Sequence, residues 1–309
     1  MTTVVVHIGV HRTGSSLIQR FLNANRDHLE QVGVLYPVAG LATGQDNRGH
    51  RLLVEDVQRG DHGAGSWAEL VDEIEASGLD RVVLSAEEFS RMRRGVRRVA
   101  HRLAEYDVQA VMYVRNPVSF LVSAWKQQVK TGAYTDRFRP FLESRYQRAD
   151  FGSMAYRWAA ALDPGRLDVR VYEEAEATTG LVSDFAAAAG FAAHGVEWHH
   201  PRQRINASPD DATLAVVRLV GRAERRFPRR ARTLARLRRS MRHQHGFRGR
   251  TIERLGGLID PHPVTDDDVA WLSAALGESH ARFLEHYIPE ALRHHLLIEP
   301  GAQPVSRSS

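Results

Sequence analysis

The chain has 309 residues, of which 43% are hydrophobic and 26% charged, with a formal net charge of +5. This composition is typical of a soluble globular chain that is long enough for one large α/β domain with an added helical part. The absence of cysteine excludes disulfides and thiolate metal sites, and the sequence has neither a run of about 18 apolar residues nor an opening apolar run of signal-sequence length. We therefore expect a cytoplasmic protein, which the lack of cysteine also fits.

The first predicted unit is a strand, a glycine loop and a helix. The β-branched run from Val4 to Ile8 is typical of a buried strand. Apolar residues with helical spacing then line one helix face, namely Leu17, Ile18, Phe21 and Leu22. The loop between them, Gly9 to Ser16, has a glycine near each end and hydroxyls leading into the helix. A strand, a glycine loop and a helix N-terminus together predict an anion site.

The loop has the Gly-x4-Gly spacing of a phosphate-binding P-loop but not its chemistry. An NTPase needs lysine after the second glycine and a hydroxyl on magnesium, whereas Ser15 follows Gly14 here and the cation is Arg12. No other run offers a clear hydrophobic strand ending in a magnesium-binding aspartate. The pattern favours a donor that needs no magnesium, although a glycine turn that merely joins a strand to a helix stays open.

Further along the chain, predicted strands alternate with predicted helices. The strands fall at 33–36, 81–85, 108–114 and 167–172, and the helices at 51–58, 67–76, 96–106, 118–130, 138–148, 151–162 and 181–189, with a long loop over 38–66. This alternation predicts an α/β fold, with a mostly parallel sheet flanked by helices. Ligands of such sheets bind beyond the carboxyl ends of the strands, where Gly9 to Ser16, Ser85 to Phe89 and Arg115 all fall.

The second half of the chain is richer in arginine. Residues 201–250 contain fifteen arginines and three acids, with a cluster at 225–242 that has only a thin apolar stripe. Such a cluster could be a solvated face, bind nucleic acid or an anionic lipid surface, or attract an anionic acceptor. We expect a P-loop-like core over 1–200, a largely helical, Arg-rich extension packed on it over 201–300, and a disordered tail over 301–309.

The glycine loop resembles the nucleotide loop of sulfotransferases, in particular a bacterial branch whose N-terminus reads approximately His-Ile-Gly-x-His-Lys-Thr-Gly-Thr-Thr-x-Ile-Gln. The matching residues are His7, Ile8, Gly9, His11, Thr13, Gly14, Ile18 and Gln19, with Ser15 and Ser16 in place of threonines. The departure is Arg12, which stands where the family has lysine. Arginine keeps the charge and can bind an anion bidentately, but it is less suited to sharing a proton with the bridging oxygen.

A second motif follows the strand at 108–114. Arg115 ends that strand and Ser123 lies two helical turns further on, so that both could bind one phosphate. Arg-Asn-Pro is also a common helix start. The motif resembles the sulfotransferase Arg-x7-Ser pair that holds the 3′-phosphate of 3′-phosphoadenosine 5′-phosphosulfate (PAPS), and Asn116, Pro117 and Trp125 fit the same pattern.

Three residues are candidates for the catalytic base. Glu87 lies just past a central strand, and the Ser-Ser-Glu of related bacterial sequences aligns with Glu87 rather than Glu88. Both acids could instead simply favour the first turn of a helix. His11 in the glycine loop and His50 in the long loop, where an acceptor could enter, compete for this role. Further along, Arg202 and Arg204 precede an Asn-x-Ser, which resembling sequences also carry, and could close over the donor or the acceptor.

The resemblance implies a PAPS-dependent sulfotransferase that acts on a small-molecule, glycan or glycolipid hydroxyl. The donor would be held by the loop residues His11, Arg12, Thr13, Gly14, Ser15 and Ser16, together with Arg115, Ser123 and Arg204. The catalytic residues would come from Arg12, Glu87 and His50, with no metal and no nucleic-acid partner, and peripheral contact with an anionic membrane is conceivable. Two alternatives stay open: a small-molecule phosphotransferase using ATP-Mg²⁺, and a non-catalytic protein that binds nucleic acid or another anion through its arginine segment.

Overall fold

The computed structural model describes residues 1–42, 49–60, 65–191, 198–199, 211–236 and 264–300. Within them, five strands form one sheet in the order β2-β3-β1-β4-β5, and every neighbouring pair is parallel. The strands are β1 (Thr3–Ile8), β2 (Val34–Leu35), β3 (Arg81–Ala86), β4 (Asp107–Val114) and β5 (Leu167–Val171). The predicted fold class, a parallel sheet flanked by helices, is confirmed.

Helices fill the connections between the strands. The helices up to β4 are α1 (Ser15–Ala24), α2 (Arg26–Gln31), α3 (Arg51–Arg59), α4 (Ser66–Ser77), α5 (Glu88–Arg91) and α6 (Val96–Arg102). Those after β4 are α7 (Pro117–Thr131), α8 (Phe138–Arg145), α9 (Phe151–Leu162), α10 (Tyr172–Ala177), α11 (Leu181–Ala188), α12 (Asp211–Arg226) and α13 (Asp266–Tyr287). The sequence did not predict α2, α5 and α10, because four to six residues are too few to show helical periodicity.

The described residues divide into two compact units that alternate along the chain. The first consists of residues 1–115, 151–203 and 278–296, and the second of residues 116–150, 204–277 and 297–309. Both units draw on segments from either side of residue 200, and the predicted boundary at that residue stays a prediction. The whole sheet belongs to the first unit.

The central strands of the first unit are almost continuously apolar because both of their faces are buried in the core. Val4, Val5 and Val6 of β1 are fully buried, as strands covered on both faces should be. The helical stripe predicted for α1 is confirmed, because Ile18, Phe21 and Leu22 are buried and belong to one core cluster with Val5. Packing of α1 against this cluster holds the start of the helix close to the end of β1.

Two histidines are buried in polar surroundings just below the carboxyl edge of the sheet. His7 Nδ1 lies 2.8 Å from Ser85 Oγ, to which Gln19 also donates a hydrogen bond. The Ser85 backbone N–H donates to His50 Nδ1, so His50 Nε2 carries the proton and donates to the Pro37 carbonyl. Burial lowers the pKa of His7 to about 3 and that of His50 to about 4. Both rings are therefore neutral in the folded protein.

This environment predicts acid sensitivity of the fold. Because the unfolded chain takes up protons near the ordinary histidine pKa of 6.5 and the folded chain does not, the free energy of unfolding is highest above that pH. It should fall on acidification towards pH 4, by about 1.4 kcal/mol per pH unit for each histidine. Urea unfolding of wild type and His50→Gln at pH 7, 6 and 5 measures this slope.

The His50→Gln variant should be less stable at pH 7 but show a shallower slope, while the exposed His286→Gln should keep the wild-type slope. Equal slopes in wild type and His50→Gln would contradict the assignment of acid sensitivity to His50.

Candidate functional site

The parallel register brings three strand ends to one edge of the sheet. Ile8 at the end of β1 pairs with Ala86 of β3 on one side and with Met112 of β4 on the other. The residues that follow these strands therefore leave the sheet together, at the edge where α/β sheets bind ligands. The glycine loop, Glu87 and Arg115 are brought to this one edge, as the sequence predicted.

The glycine loop, residues 9–16, crosses the edge of the sheet in a conformation that depends on its glycines. The Gly9 N–H donates to the Ala86 carbonyl at 3.0 Å, and a Cβ on Gly9 would lie 3.0–3.2 Å from the backbone of residues 86 and 87. Gly14 has φ 75°, which favours glycine, and a Cβ there would overlap the Leu181 side chain. Arg12 also has a positive φ, 66°, which is uncommon for a side-chain-bearing residue. The unfavourable backbone conformation is therefore at Arg12, the residue that supplies the positive charge of the loop.

The hydroxyls of the loop brace its backbone. Thr13 Oγ1 and Ser15 Oγ both donate to the Val10 carbonyl, at 2.7 and 2.9 Å, and both residues are buried. Their side chains therefore shape the loop. The Thr13 N–H also donates to the Val10 carbonyl, at 3.4 Å, so of these two residues only Ser15 can offer a backbone N–H to a ligand. Ser16 is exposed, and its N–H and that of Ser15 lie in the first turn of α1, where a helix provides no acceptor. An anion at this position would meet N–H groups and the positive end of the helix.

Two guanidinium groups lie at this loop. Arg115 Nη1 donates to the Arg12 carbonyl at 3.1 Å, and its Cζ lies 5.3 Å from the centre of the Tyr172 ring. Burial and the neighbouring charge of Arg115 lower the pKa of Arg12. These two positive charges repel each other, and an anion bound beside them relieves that repulsion. The predicted roles of Arg12 and Arg115 stay predictions, but the two residues share one site.

Sequence reasoning missed two residues of the site, Tyr172 and Glu173. Val171 at the end of β5 pairs with Val114 of β4, so Tyr172 and Glu173 follow a strand at the same edge as Arg115. Glu173 Oε1 lies 3.5 Å from Arg115 Nε. The sequence carries a signal for them, since Tyr-Glu-Glu lies at the end of a predicted strand, but the predicted strand runs one residue too far, to Tyr172.

His11 and Glu87 form a pair at the mouth of the site. His11 Nδ1 lies 2.6 Å from Glu87 Oε2, and the two side chains are 30% and 25% exposed, so that both can be reached from solvent. Arg91 Nη2 donates to His11 Nε2 at 3.4 Å, which leaves the proton of a neutral ring on Nδ1, facing Glu87. Burial opposes ionisation of Glu87, but His11, Arg91 and Arg12 outweigh it and hold the pKa of Glu87 below its usual range.

His50 lies in the loop before α3, where the sequence places it, but not at the surface of that loop. It was expected in an open loop, but it is fully buried, and both its ring nitrogens are hydrogen-bonded to backbone groups. A Cβ on Gly49 would lie 2.9 Å from the Ser85 carbonyl, so only glycine lets this segment pack so closely against β3. The environment of His50 is that of a structural residue, with no nitrogen available to take a proton from an acceptor.

The other two predicted donor-binding residues are Ser123 and Arg204. Ser123 belongs to α7, in the second unit, where it is half-buried. The helix start predicted there is confirmed, with Pro117 in the first turn and the Asn116 side chain accepting hydrogen bonds from two N–H groups of that turn. Arg204, together with Arg202, lies outside the described residues.

Two features are absent from the described part of the chain, a metal-binding cluster and a membrane-spanning helix. Nowhere in it do three or more His, Asp or Glu side chains converge in a way that could hold a metal ion. None of its helices is both long enough and apolar enough to cross a membrane.

Comparison with known proteins gave structural neighbours only. No family model and no curated protein sequence matches the chain. Among solved structures, the chain is similar to a sulfotransferase from Alicyclobacillus acidocaldarius, at 16% identity and a TM-score of 0.41 over 70% of this chain and 92% of that one. It is also similar to the sulfotransferase domain from the curacin biosynthetic pathway, at 13% identity and a TM-score of 0.38 over 63% and 76% of the two chains. Likeness at these levels does not by itself assign an activity.

The contact between Arg115 and Glu173 generates a prediction about anion affinity. The Glu173 carboxylate competes with any anion for the Arg115 guanidinium, so Glu173→Gln should strengthen binding of inorganic pyrophosphate. We expect an increase of about two- to fivefold, because a partly exposed ion pair contributes up to about 1 kcal/mol. Isothermal titration calorimetry measures it.

The matched control is Glu174→Gln, which removes the neighbouring carboxylate, whose Oε2 lies 3.3 Å from His295 Nε2. This variant should bind pyrophosphate as wild type does. Weaker binding by Glu173→Gln would show that Glu173 supports the anion instead of competing with it.

Proposed function

We propose that this protein is a sulfotransferase that moves a sulfuryl group from PAPS to a hydroxyl group of its acceptor. The observation that carries the proposal is the pair of arginines, Arg12 and Arg115, at a glycine loop with no lysine after its second glycine. Ser15, which stands in place of that lysine, turns its hydroxyl back to the Val10 carbonyl. The loop is therefore suited to an anionic donor held by guanidinium and N–H groups.

The proposed roles follow from these positions. Arg12 and the N–H groups at the start of α1 would hold the 5′-phosphosulfate, and Arg115 would leave Glu173 to bind the 3′-phosphate, with Ser123 and Arg204 as further proposed contacts. The acceptor oxygen attacks sulfur in line and the bond from sulfur to the 5′-phosphate oxygen breaks. Negative charge then grows on that phosphate, where Arg12 and the N–H groups stabilise it. The products are the sulfated acceptor and 3′-phosphoadenosine 5′-phosphate (PAP).

The proton of the acceptor hydroxyl would pass to the His11–Glu87 pair. In the structure the His11 Nε2 lone pair accepts a hydrogen bond from Arg91 while Nδ1–H faces Glu87. The acceptor hydroxyl would therefore have to displace the Arg91 guanidinium from Nε2 before that nitrogen takes its proton. A carboxylate behind the ring orients it and stabilises the imidazolium that forms, as in other histidine–carboxylate pairs. We assign Glu87 to the base as part of this pair, and not as a lone carboxylate.

The donor is tested by thermal stabilisation with PAP, with ATP-Mg²⁺ in parallel. A ligand at 100 times its Kd adds about 2.7 kcal/mol to the free energy of unfolding. We expect a clear rise in Tm with PAP and none with ATP-Mg²⁺. Arg115→Ala should lose this rise because it removes a guanidinium from the site.

The matched control is Arg166→Ala. In wild type the Arg166 guanidinium pairs with Asp107, the first residue of β4. This variant should keep the rise with PAP. Stabilisation by ATP-Mg²⁺ alone would identify a phosphotransferase, and no stabilisation by either nucleotide would contradict the proposal.

The base is tested by Glu87→Gln and His11→Asn. Each should lower the rate of sulfuryl transfer by about 10²- to 10⁴-fold, the usual contribution of general base catalysis, with the affinity for PAP kept within about threefold. In wild type, kcat should fall on acidification once Glu87 takes up a proton, at a pH below the usual carboxyl range because its pKa is held low, and Glu87→Gln should lose this acid limb.

Glu88→Gln, which changes the adjacent carboxylate, is the control and should behave as wild type. If His11→Asn kept the wild-type rate while Glu87→Gln did not, the carboxylate would act alone and the paired base would be wrong.

A further inference from the structure

A run of arginines begins immediately beyond the proposed base. Five arginines occur within eight residues, and we call them the arginine ridge: Arg91, Arg93, Arg94, Arg97 and Arg98. From residue 88 to residue 102 the sequence contains one acid, Glu88. The ridge lies in the first unit of the chain, on α5, α6 and the turn between them.

The ridge faces solvent because its apolar neighbours are buried. Met92, Val96 and Val99 are at most 4% exposed, whereas all five arginines are exposed. Gly95, with φ 97°, turns the chain between the two helices, and a Cβ there would press on the Met92 and Val57 side chains. The apolar residues therefore anchor the segment and leave its arginines at the surface, although the Arg98 guanidinium also donates to the Val57 carbonyl at 3.3 Å.

The ridge is continuous with the His11–Glu87 pair. Arg91 donates to His11 Nε2 at 3.4 Å, and its charge also acts on Glu87. Arg94 follows three residues later, and three residues of chain span at most about 11 Å. The Cα atoms of Arg91 and Arg94 are therefore at most about 11 Å apart, so the ridge begins beside the proposed base.

Five exposed guanidinium groups repel one another, and an anion that bridges several of them removes this repulsion. Arginine also binds phosphate and carboxylate groups bidentately, which lysine cannot do. We propose that the arginine ridge is the acceptor subsite, and that the acceptor is a hydroxyl compound bearing phosphate or carboxylate groups near the sulfated position. This inference rests on the proposed function, since it assigns the acceptor class to the same site.

Such a charged hydroxyl compound could be a soluble saccharide or a lipid headgroup, and two pairs of probes distinguish them. The soluble pair is a hyaluronan hexasaccharide, which carries carboxylates, and maltohexaose, which is neutral. The membrane pair is vesicles of phosphatidylglycerol and vesicles of phosphatidylcholine. Binding is measured with wild type in the presence and absence of PAP, and we expect the anionic member of at least one pair to bind and both neutral members to fail.

The variant is the double substitution Arg94→Gln with Arg97→Gln, which leaves the His11–Glu87–Arg91 contacts in place. It should weaken binding of the anionic probe about tenfold while its affinity for PAP stays at the wild-type value. The matched control is Arg225→Gln with Arg226→Gln, two exposed arginines of α12 in the second unit, and it should bind the probe as wild type does.

Equal losses in both double variants would overturn the proposal, because binding would then depend on overall charge alone. Loss of PAP affinity in the ridge variant would assign the ridge to the donor. Stronger, ridge-dependent binding of single-stranded dT20 than of any other probe would show a nucleic-acid surface instead. A failure of the proposed function can be told apart from a failure of the ridge proposal. If the proposed function is wrong, wild type binds no PAP, whereas binding of the anionic probe to the ridge is still measured in the absence of PAP.

Discussion

The site depends on the parallel pairing of β1 with β3 and β4. This register places Ile8 beside Ala86 and Met112, so that residues distant in sequence leave the sheet at one edge. A helix N-terminus, two guanidinium groups and a histidine–carboxylate pair then lie on one rigid frame, and none of them would be close without it. Because the frame is held by a fully buried apolar core, the loop can keep Arg12 in an unfavourable backbone conformation.

Arginine and glutamate side chains lie close together in the site. Positive groups are gathered at this edge of the sheet and are partly balanced by carboxylates. Glu173 lies beside Arg115, and the charges of Arg91 and Arg12 both act on Glu87. These balances keep the site stable without a ligand, yet they are weak enough to be exchanged when an anion binds. On this view Glu173 would also assist release of the product, because it can recapture Arg115 as the nucleotide leaves.

What the sequence could predict was local. The glycine requirement of the loop and the cation at the end of β4 were both visible, because a parallel sheet sends every strand end to the same edge. The burial of His50 was not visible, since it depends on contact with Ser85, 35 residues away. The hydrogen bonds from the Thr13 and Ser15 hydroxyls to the loop backbone were likewise not predictable, because they depend on side-chain rotamers that the sequence does not specify. Glu173 was missed through an error of one residue in the end of a strand.

The central claim is that the loop binds the 5′-phosphate of PAP while Arg115 binds its 3′-phosphate. A crystal structure of the PAP complex measures this directly. We predict 5′-phosphate oxygens within hydrogen-bonding distance of the Ser15 and Ser16 N–H groups, and an Arg115 guanidinium moved from Glu173 to the 3′-phosphate. A nucleotide bound away from the loop, or an Arg115 still paired with Glu173 in the complex, would contradict it.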